Sequence, residues 1–291
     1  MLIHAPFFTA GTMIPFWKIT PGGNPTILFN AADIPPCSRP SAAVEAMSPG
    51  HLQAEQVGFI DIDRCRLDMM GGEFCVNASR AFACLLATEG RLRQTAAEQY
   101  EGIIFSSGAD HPLPVLVRRA QAGSCWHAEV CLFMQALPEQ KRLCDGSARI
   151  DLPGITHIIE HDVKPDDLEA FCCSQRAANG LELNDAVGHL WLSEKDGLFS
   201  LFPVVWVRAT SSLCQETACG SGTLASALFL CGKSRCRQFT IRQPSGQDLC
   251  VRLEKSSSGW NAWIGGPCRI IAKGETTLLS IDSARADQTA S

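Results

Sequence analysis

Glu73-Phe74-Cys75-Val76-Asn77-Ala78-Ser79-Arg80-Ala81-Phe82-Ala83 is echoed 144 residues later by Thr217-Ala218-Cys219-Gly220-Ser221-Gly222-Thr223-Leu224-Ala225-Ser226-Ala227. In each stretch a cysteine precedes small or polar residues and then an Ala-rich run. The offset is close to half of the 291 residues. A self-similarity at that period points to a duplicated α/β unit, each copy a sheet wrapped on one helix. The runs Asn77 to Thr88 and Gly222 to Cys231 are apolar on most sides, which predicts buried rather than surface helices. Around them lie short β-rich runs bounded by Gly, Pro, Asn, Asp and Ser. Examples are Thr26 to Phe29, Val57 to Ile60, Gly102 to Phe105, Ile155 to Ile159, Gly188 to Leu192 and Pro203 to Val207.

The fold expectation is therefore α/β (α+β) with two pseudo-symmetric halves, each a β-sheet or barrel around a central buried helix. The first half is read as 1–137 with Cys75 and the second as 147–267 with Cys219. A strand over 268–280 is free to return to the first half. The polar stretch from Pro138 to Ser147 reads as the linker, and the polar tail from Ile281 to Ser291 as frayed.

Composition narrows the function classes. Lys plus Arg is 25 against 30 for Asp plus Glu, a net charge of −5. That balance gives no electrostatic case for nucleic acid or an anionic membrane. No apolar run approaches the ~20 residues of a spanning helix. Met1-Leu2-Ile3-His4 lacks the basic start of a signal peptide, so the expected location is cytoplasmic. Fifteen cysteines are an odd number in a long chain and show no paired zinc spacing. Most read as small buried apolar residues in a reducing compartment.

Cys75 and Cys219 stand apart because each precedes a helix. Unpaired backbone N–H groups and the positive end of the dipole favour thiolate over thiol there. If the halves face each other, the two sulfurs converge on one cleft. Opposed sulfurs suit racemisation: one thiolate removes the Cα proton and the opposite thiol returns one to the other face. The N–H groups after each cysteine can hold a substrate carboxylate and the charge that spreads into it.

These residues carry a resemblance. The chain is similar to the diaminopimelate epimerase-like family of cofactor-independent amino-acid racemases. Cys219-Gly220-Ser221-Gly222 resembles the family's second cysteine motif and Cys75-Val76-Asn77-Ala78-Ser79-Arg80 its first, with Val76 and Ala78 in place of glycines. Gly23-Asn24, Glu55-Gln56, Gly154-Ile155-Thr156-His157 and Pro244-Ser245-Gly246 follow the family order. The E-R pair that grips the distal end of diaminopimelate is missing from Val207 to Ser212. Within the family, Gly22-Gly23-Asn24-Pro25-Thr26-Ile27-Leu28, Glu55-Gln56-Val57-Gly58-Phe59-Ile60 and Glu73-Phe74-Cys75 resemble the histidine racemases of staphylopine-type metallophore biosynthesis.

The resemblance implies Cys75 and Cys219 as the catalytic pair, no cofactor and no metal. It implies Asn24, Glu55, Gln56, Val76, Asn77, His157, Glu216, Gly220 and Ser221 around the substrate, with Glu55 reading the side chain. Glu73 and Glu216 are helix-start carboxylates that could also hold the substrate ammonium. The partner is a free amino acid, with L-histidine the first guess, and a homodimer is admitted. Diaminopimelate epimerase itself and a non-catalytic amino-acid-binding member of the fold stay open as alternatives. Bulk at Val76 and Ala78 is what keeps the last one open.

Overall fold

The computed structural model describes residues 12–120, 125–161, 163–209 and 211–279. The stretches Met1 to His4 and Ile281 to Ser291, on which the sequence readings of location and tail rest, lie outside the described residues. In chain order the first part contains β1 (Met13–Pro21), β2 (Thr26–Asn30), α1 (Arg39–Met47), β3 (Gln56–Asp61), β4 (Arg66–Met69) and α2 (Val76–Thr88). It continues through β5 (Arg93–Ala96), β6 (Gln99–Ser106), β7 (Leu113–Arg119) and β8 (Cys125–Met134). Then come β9 (Gln140–Arg142), β10 (Ala148–Leu152), β11 (Ile155–Ile159), α3 (Leu168–Ala178), β12 (Ala186–Lys195), β13 (Leu198–Val207) and β14 (Ser212–Gln215). The last elements are α4 (Gly220–Lys233), β15 (Gln238–Arg242), β16 (Asp248–Lys255) and β17 (Trp260–Thr277).

One sequence of pairings occurs twice. β2 runs parallel to β3 across the crossover helix α1, and β11 runs parallel to β12 across α3. Parallel neighbours need such a crossover, because no tight turn can join them. β3 then pairs antiparallel with β4, as β12 does with β13. β4 is parallel to β6 across α2, and β13 is parallel to β15 across α4. Each set finishes as an antiparallel meander, β6-β7-β8 in one and β15-β16-β17 in the other.

In the first set the ring closes. β1 pairs with β2 on one side and with the far end of β17 on the other, from Pro21↔Cys268 to Met13↔Thr277. The near end of β17 pairs with β8, from Trp260↔Met134 to Arg269↔Cys125. β17 thus serves both sets with one continuous strand. α2 runs through the ring, and every residue from Val76 to Ala87 is buried. Phe82, Leu85 and Leu86 fill the barrel, each contributing roughly 1.5–3 kcal/mol by burial. α4 is enclosed likewise, with Leu224, Ala225, Ala227 and Leu228 inward.

Both buried helices begin earlier than the apolar runs suggest, because the cysteine preceding each is already the N-cap. The polar stretch read as a linker contains β9, which pairs with β10 despite its exposed, charged residues. Arg80 is fully buried inside the ring; its Nε donates to Ala128 O at 3.0 Å and Nη2 to Pro267 O at 2.9 Å. It therefore pins α2 to β8 and to the shared strand β17. No helix among the described residues is long and apolar enough to cross a membrane.

Candidate active site

The starts of α2 and α4 touch. A Cβ added to Gly220 would lie 2.5 Å from Val76 Cγ1 and 3.1 Å from Asn77 Oδ1. Asn77 Nδ2 donates to Ala218 O at 2.8 Å, across the junction. Each helix is capped by its cysteine: Ala78 N donates to Cys75 Sγ and Gly222 N to Cys219 Sγ, both at 3.3 Å. Four residues on, Ser79 Oγ donates to Cys75 O at 2.8 Å and Thr223 Oγ1 to Cys219 O at 2.6 Å. Helix geometry leaves the first N–H groups of each turn, at Val76, Asn77, Gly220 and Ser221, without intrahelical acceptors.

One cavity lies at this junction. Cys75, Cys219, Glu55, Gln56, Val76, Asn77, Glu216, Gly220 and Ser221 all line it. Two other expected residues do not. Asn24 is fully buried behind the wall, where Nδ2 donates to Glu55 Oε2 at 2.7 Å and to Ala218 O at 3.3 Å. His157, on β11, is also fully buried outside the lining, with its ring against Gly188, where a Cβ would meet Nδ1 at 2.2 Å. Burial pulls the His157 pKa down to about 3, so the ring is neutral. Asn24 braces the lining residue Glu55 from outside the cavity, whereas neither ring nitrogen of His157 has a hydrogen-bond partner among the described residues.

Glu55 lines the cavity but is occupied by the protein. Oε1 accepts from Thr217 Oγ1 at 2.6 Å, and Oε2 accepts from Asn24 Nδ2 and from Thr217 N at 3.1 Å. The carboxylate ties the loop before β3 to the approach to Cys219. Burial raises its pKa, and the Thr217 and Asn24 donors pull the other way. Glu55 thus lines the cavity as expected, with three hydrogen bonds to the protein that the sequence did not show.

The two thiols have different neighbours. Cys75 Sγ donates to Gln56 Oε1 at 3.0 Å, and Gln56 Nε2 donates to Glu216 Oε1 at 3.3 Å. Glu216 Oε2 is buried with no hydrogen-bond partner among the described residues. Cys219 is buried beside Glu216, with Ser221 Oγ at 3.6 Å, and its backbone N–H is held by Gln243 Oε1 at 3.0 Å. Burial pushes both thiols well above the usual range, outweighing the helix N–H groups; the charge of Glu216 adds to the rise. By themselves the helix starts do not make thiolates, contrary to the simple dipole expectation. Burial also lifts Glu216 to about 7, against donors on Cys219 and Gln56.

Glu73, Gly154 and Ile155, which the sequence motifs had marked, also line the cavity, and the remaining lining was not singled out by its sequence. Met47, Met70, Phe74, Ile155, Val205 and Val207 supply apolar walls. Such side chains carry no chemical signature, and only tertiary structure brings them together. Cys214 adds a third thiol. No lysine or arginine among the described residues lines the cavity.

Comparisons with known proteins agree with this architecture. The family described as the histidine racemase CntK N-terminal domain matches residues 13–276. A histidine racemase of Fusobacterium nucleatum is 32% identical over 269 residues, covering 91% of this chain and 98% of the relative. A histidine racemase of Staphylococcus aureus is 25% identical over 287 residues, again covering 91% and 98%. A solved hydroxyproline epimerase from Agrobacterium vitis, with bound trans-4-hydroxy-L-proline, superposes with a TM-score of 0.60 at 12% identity, over 91% of this chain and 93% of its own. A PhzF-family phenazine biosynthesis protein from Enterococcus faecalis gives 0.56 at 16% identity, over 92% and 100%. At such identities the structural likeness is one of fold.

Proposed function

The chain belongs to the histidine racemase family of isomerases, and from that premise we propose that it interconverts L- and D-histidine by moving the Cα proton between Cys75 and Cys219. The observation that carries this reading is the convergence of two cysteine-capped helix starts on one cavity. The substrate carboxylate lies against the N–H groups at Val76, Asn77, Gly220 and Ser221. As the Cα–H bond breaks, its electron pair spreads into that carboxylate, and the same dipoles stabilise the added charge. One sulfur gains the proton from Cα; the other gives its own to the opposite face. The net change is inversion, with one proton taken and one returned.

Burial raises both thiols, so a thiolate must form with help. Glu216 is the group suited to take the Cys219 proton, while Cys75 keeps its proton on the Gln56 amide oxygen. In this state Cys219 is the base and Cys75 the acid; the reverse reaction starts with the roles exchanged. The substrate ammonium, a cation entering beside the pair, favours the thiolate once Glu216 has taken the Cys219 proton. The Val76 side chain packs in the space that Gly220 leaves open, which supports room for a carboxylate at the junction. The scheme uses only protein groups and a free amino acid. On the same footing we read the chain as two units, 1–137 and 147–267, supported by the repeated order of pairings.

The test is incubation of the purified protein with L-histidine in deuterium oxide. The expected outcome is D-histidine carrying deuterium at Cα, followed by NMR and chiral chromatography. Absence of exchange overturns the reaction; faster turnover of diaminopimelate than of histidine overturns the substrate.

A further inference from the structure

Three carboxylates border the cavity, and the structure gives them different work. Glu55 is engaged by the side chain of Asn24 and by both the backbone and the side chain of Thr217. Glu216 lines the cavity three residues ahead of Cys219 and accepts from Gln56, which in turn accepts from Cys75. Glu73 lies two residues ahead of Cys75 and lines the same cavity. Its hydrogen-bond partners are backbone N–H groups, and Oε2 accepts from Gly71 N at 2.9 Å.

The fold holds Glu73 from several sides. Gly108, at φ +68°, packs so closely that a Cβ would lie 2.2 Å from Phe74 N and 2.6 Å from Glu73 C. Gly154, at φ +75°, approaches from the loop between β10 and β11, where a Cβ would lie 3.3 Å from Phe74 N. Only glycine adopts such backbone angles at little cost. Ser107 Oγ donates to Glu73 O at 2.9 Å. Gly71 leaves room for the carboxylate to fold back, since a Cβ there would meet Oε2 at 2.7 Å. Elements from both sets of strands thus fix one half-buried side chain that no protein side chain engages by the hydrogen bonds above.

We propose that Glu73 reads the substrate side chain, accepting from its N–H donor, and so selects amino acids whose side chain carries a donor able to bear positive charge. Resting on the racemase reading, this leaves Glu216 for the Cys219 proton. The lining lacks any lysine or arginine to receive a distal carboxylate among the described residues.

The experiment compares the parent protein, Glu73→Gln and Gly71→Ala on L-histidine and on L-β-(2-thienyl)alanine, a ring of similar size without a donor. The Glu73→Gln variant keeps an amide oxygen for Gly71 N, so the local fold is preserved; thermal melting checks this. For Glu73→Gln the KM for histidine should rise by about 10- to 100-fold, with kcat within about threefold. The preference for histidine over thienylalanine should shrink by a comparable factor. Gly71→Ala keeps the charge but displaces the carboxylate, and should raise the histidine KM by roughly 3- to 10-fold. An unmoved KM in Glu73→Gln, or equal losses on both substrates, overturns the assignment while leaving the racemase reading intact. No exchange of histidine by the parent overturns the racemase reading and, with it, this inference.

Discussion

The two helix starts, 75–79 and 219–223, are copies in backbone and opposites in surroundings. Cap, first N–H bond and the hydroxyl four residues on agree at both. Yet Cys75 donates to a neutral amide, whereas Cys219 sits by a buried carboxylate. Where one start carries Val76 the other carries Gly220, and the valine fills the glycine's space. The backbone of a duplicated unit supplies a symmetric site for a reaction with two equivalent faces. Side chains then set which thiol starts with its proton. Symmetry is kept where both faces need the same thing and broken where the two proton carriers must differ.

The sharpest way to break the comparison is to remove either sulfur. Cys75→Ala and Cys219→Ala should each lower racemisation by about 10³-fold or more, since each deletes one of two obligatory carriers. Chiral chromatography checks this, and near-parental racemisation by either variant would sink the two-thiol scheme. Glu216→Gln should fall more heavily on steps in which Cys219 is the base, slowing turnover by roughly 10²-fold. In the parent, activity should rise with pH through about 7 as Glu216 loses its proton, and the glutamine variant should lack that limb.

The same group has a linked effect on stability. Its folded pKa lies above the ordinary glutamate value of 4.5, so the folded state holds the proton more tightly between that value and about 7. The resulting stabilisation is complete below the unfolded pKa and lost as pH rises through the folded one. Above pH 7 the buried charge costs on the order of 3 kcal/mol. Glu216→Gln should therefore be more stable than the parent above pH 7, and that difference should fade towards pH 4. Denaturant titrations across pH measure it directly.

The exchange of bulk at the helix junction admits a double-mutant cycle. Gly220→Ala should cost about 1–3 kcal/mol and much of the activity, because its methyl meets Val76. Adding Val76→Gly should restore a large part of both; strict additivity would show that the two positions do not compensate. The smallest effect concerns the brace ahead of Cys219. Glu55→Gln should cost about 1–3 kcal/mol of stability through its bonds to Thr217 and Asn24. It should alter turnover of histidine and thienylalanine by similar factors. A selective loss on histidine would return Glu55 to the side-chain role that its position in the sequence suggests.

The repeat around Cys75 and Cys219 made the enclosed helices legible, because a run of small and apolar residues can only be stable when surrounded. α1 and α3 were not read. α1 buries only Ala42, Ala43 and Ala46, too weak a stripe to stand out. α3 had a start signal in Asp167, whose side chain accepts from Ala170 N at 3.0 Å, but its sole buried residue is Cys172. Within the site, the order of motifs led to the correct region for Glu55, while its occupancy was hidden. Thr217 is 162 residues away, and a hydrogen bond between two loops leaves no local pattern. Asn24 and His157 show the same limit: a motif marks a neighbourhood, and burial decides which members face the cavity.

The double service of β17 bears on how the chain is made. Strands β1 to β8 emerge early, but the ring around α2 lacks its closing member until residues 260–277 have followed. Until then β1 and β8 each present an unpaired edge, able to join a strand from another nascent chain. The contact between Met13 and Thr277 spans nearly the whole described sequence, a closure that slows folding relative to local pairings. Synthesis thus leaves a long interval in which the first half is translated but unsealed, and chaperone demand should concentrate there.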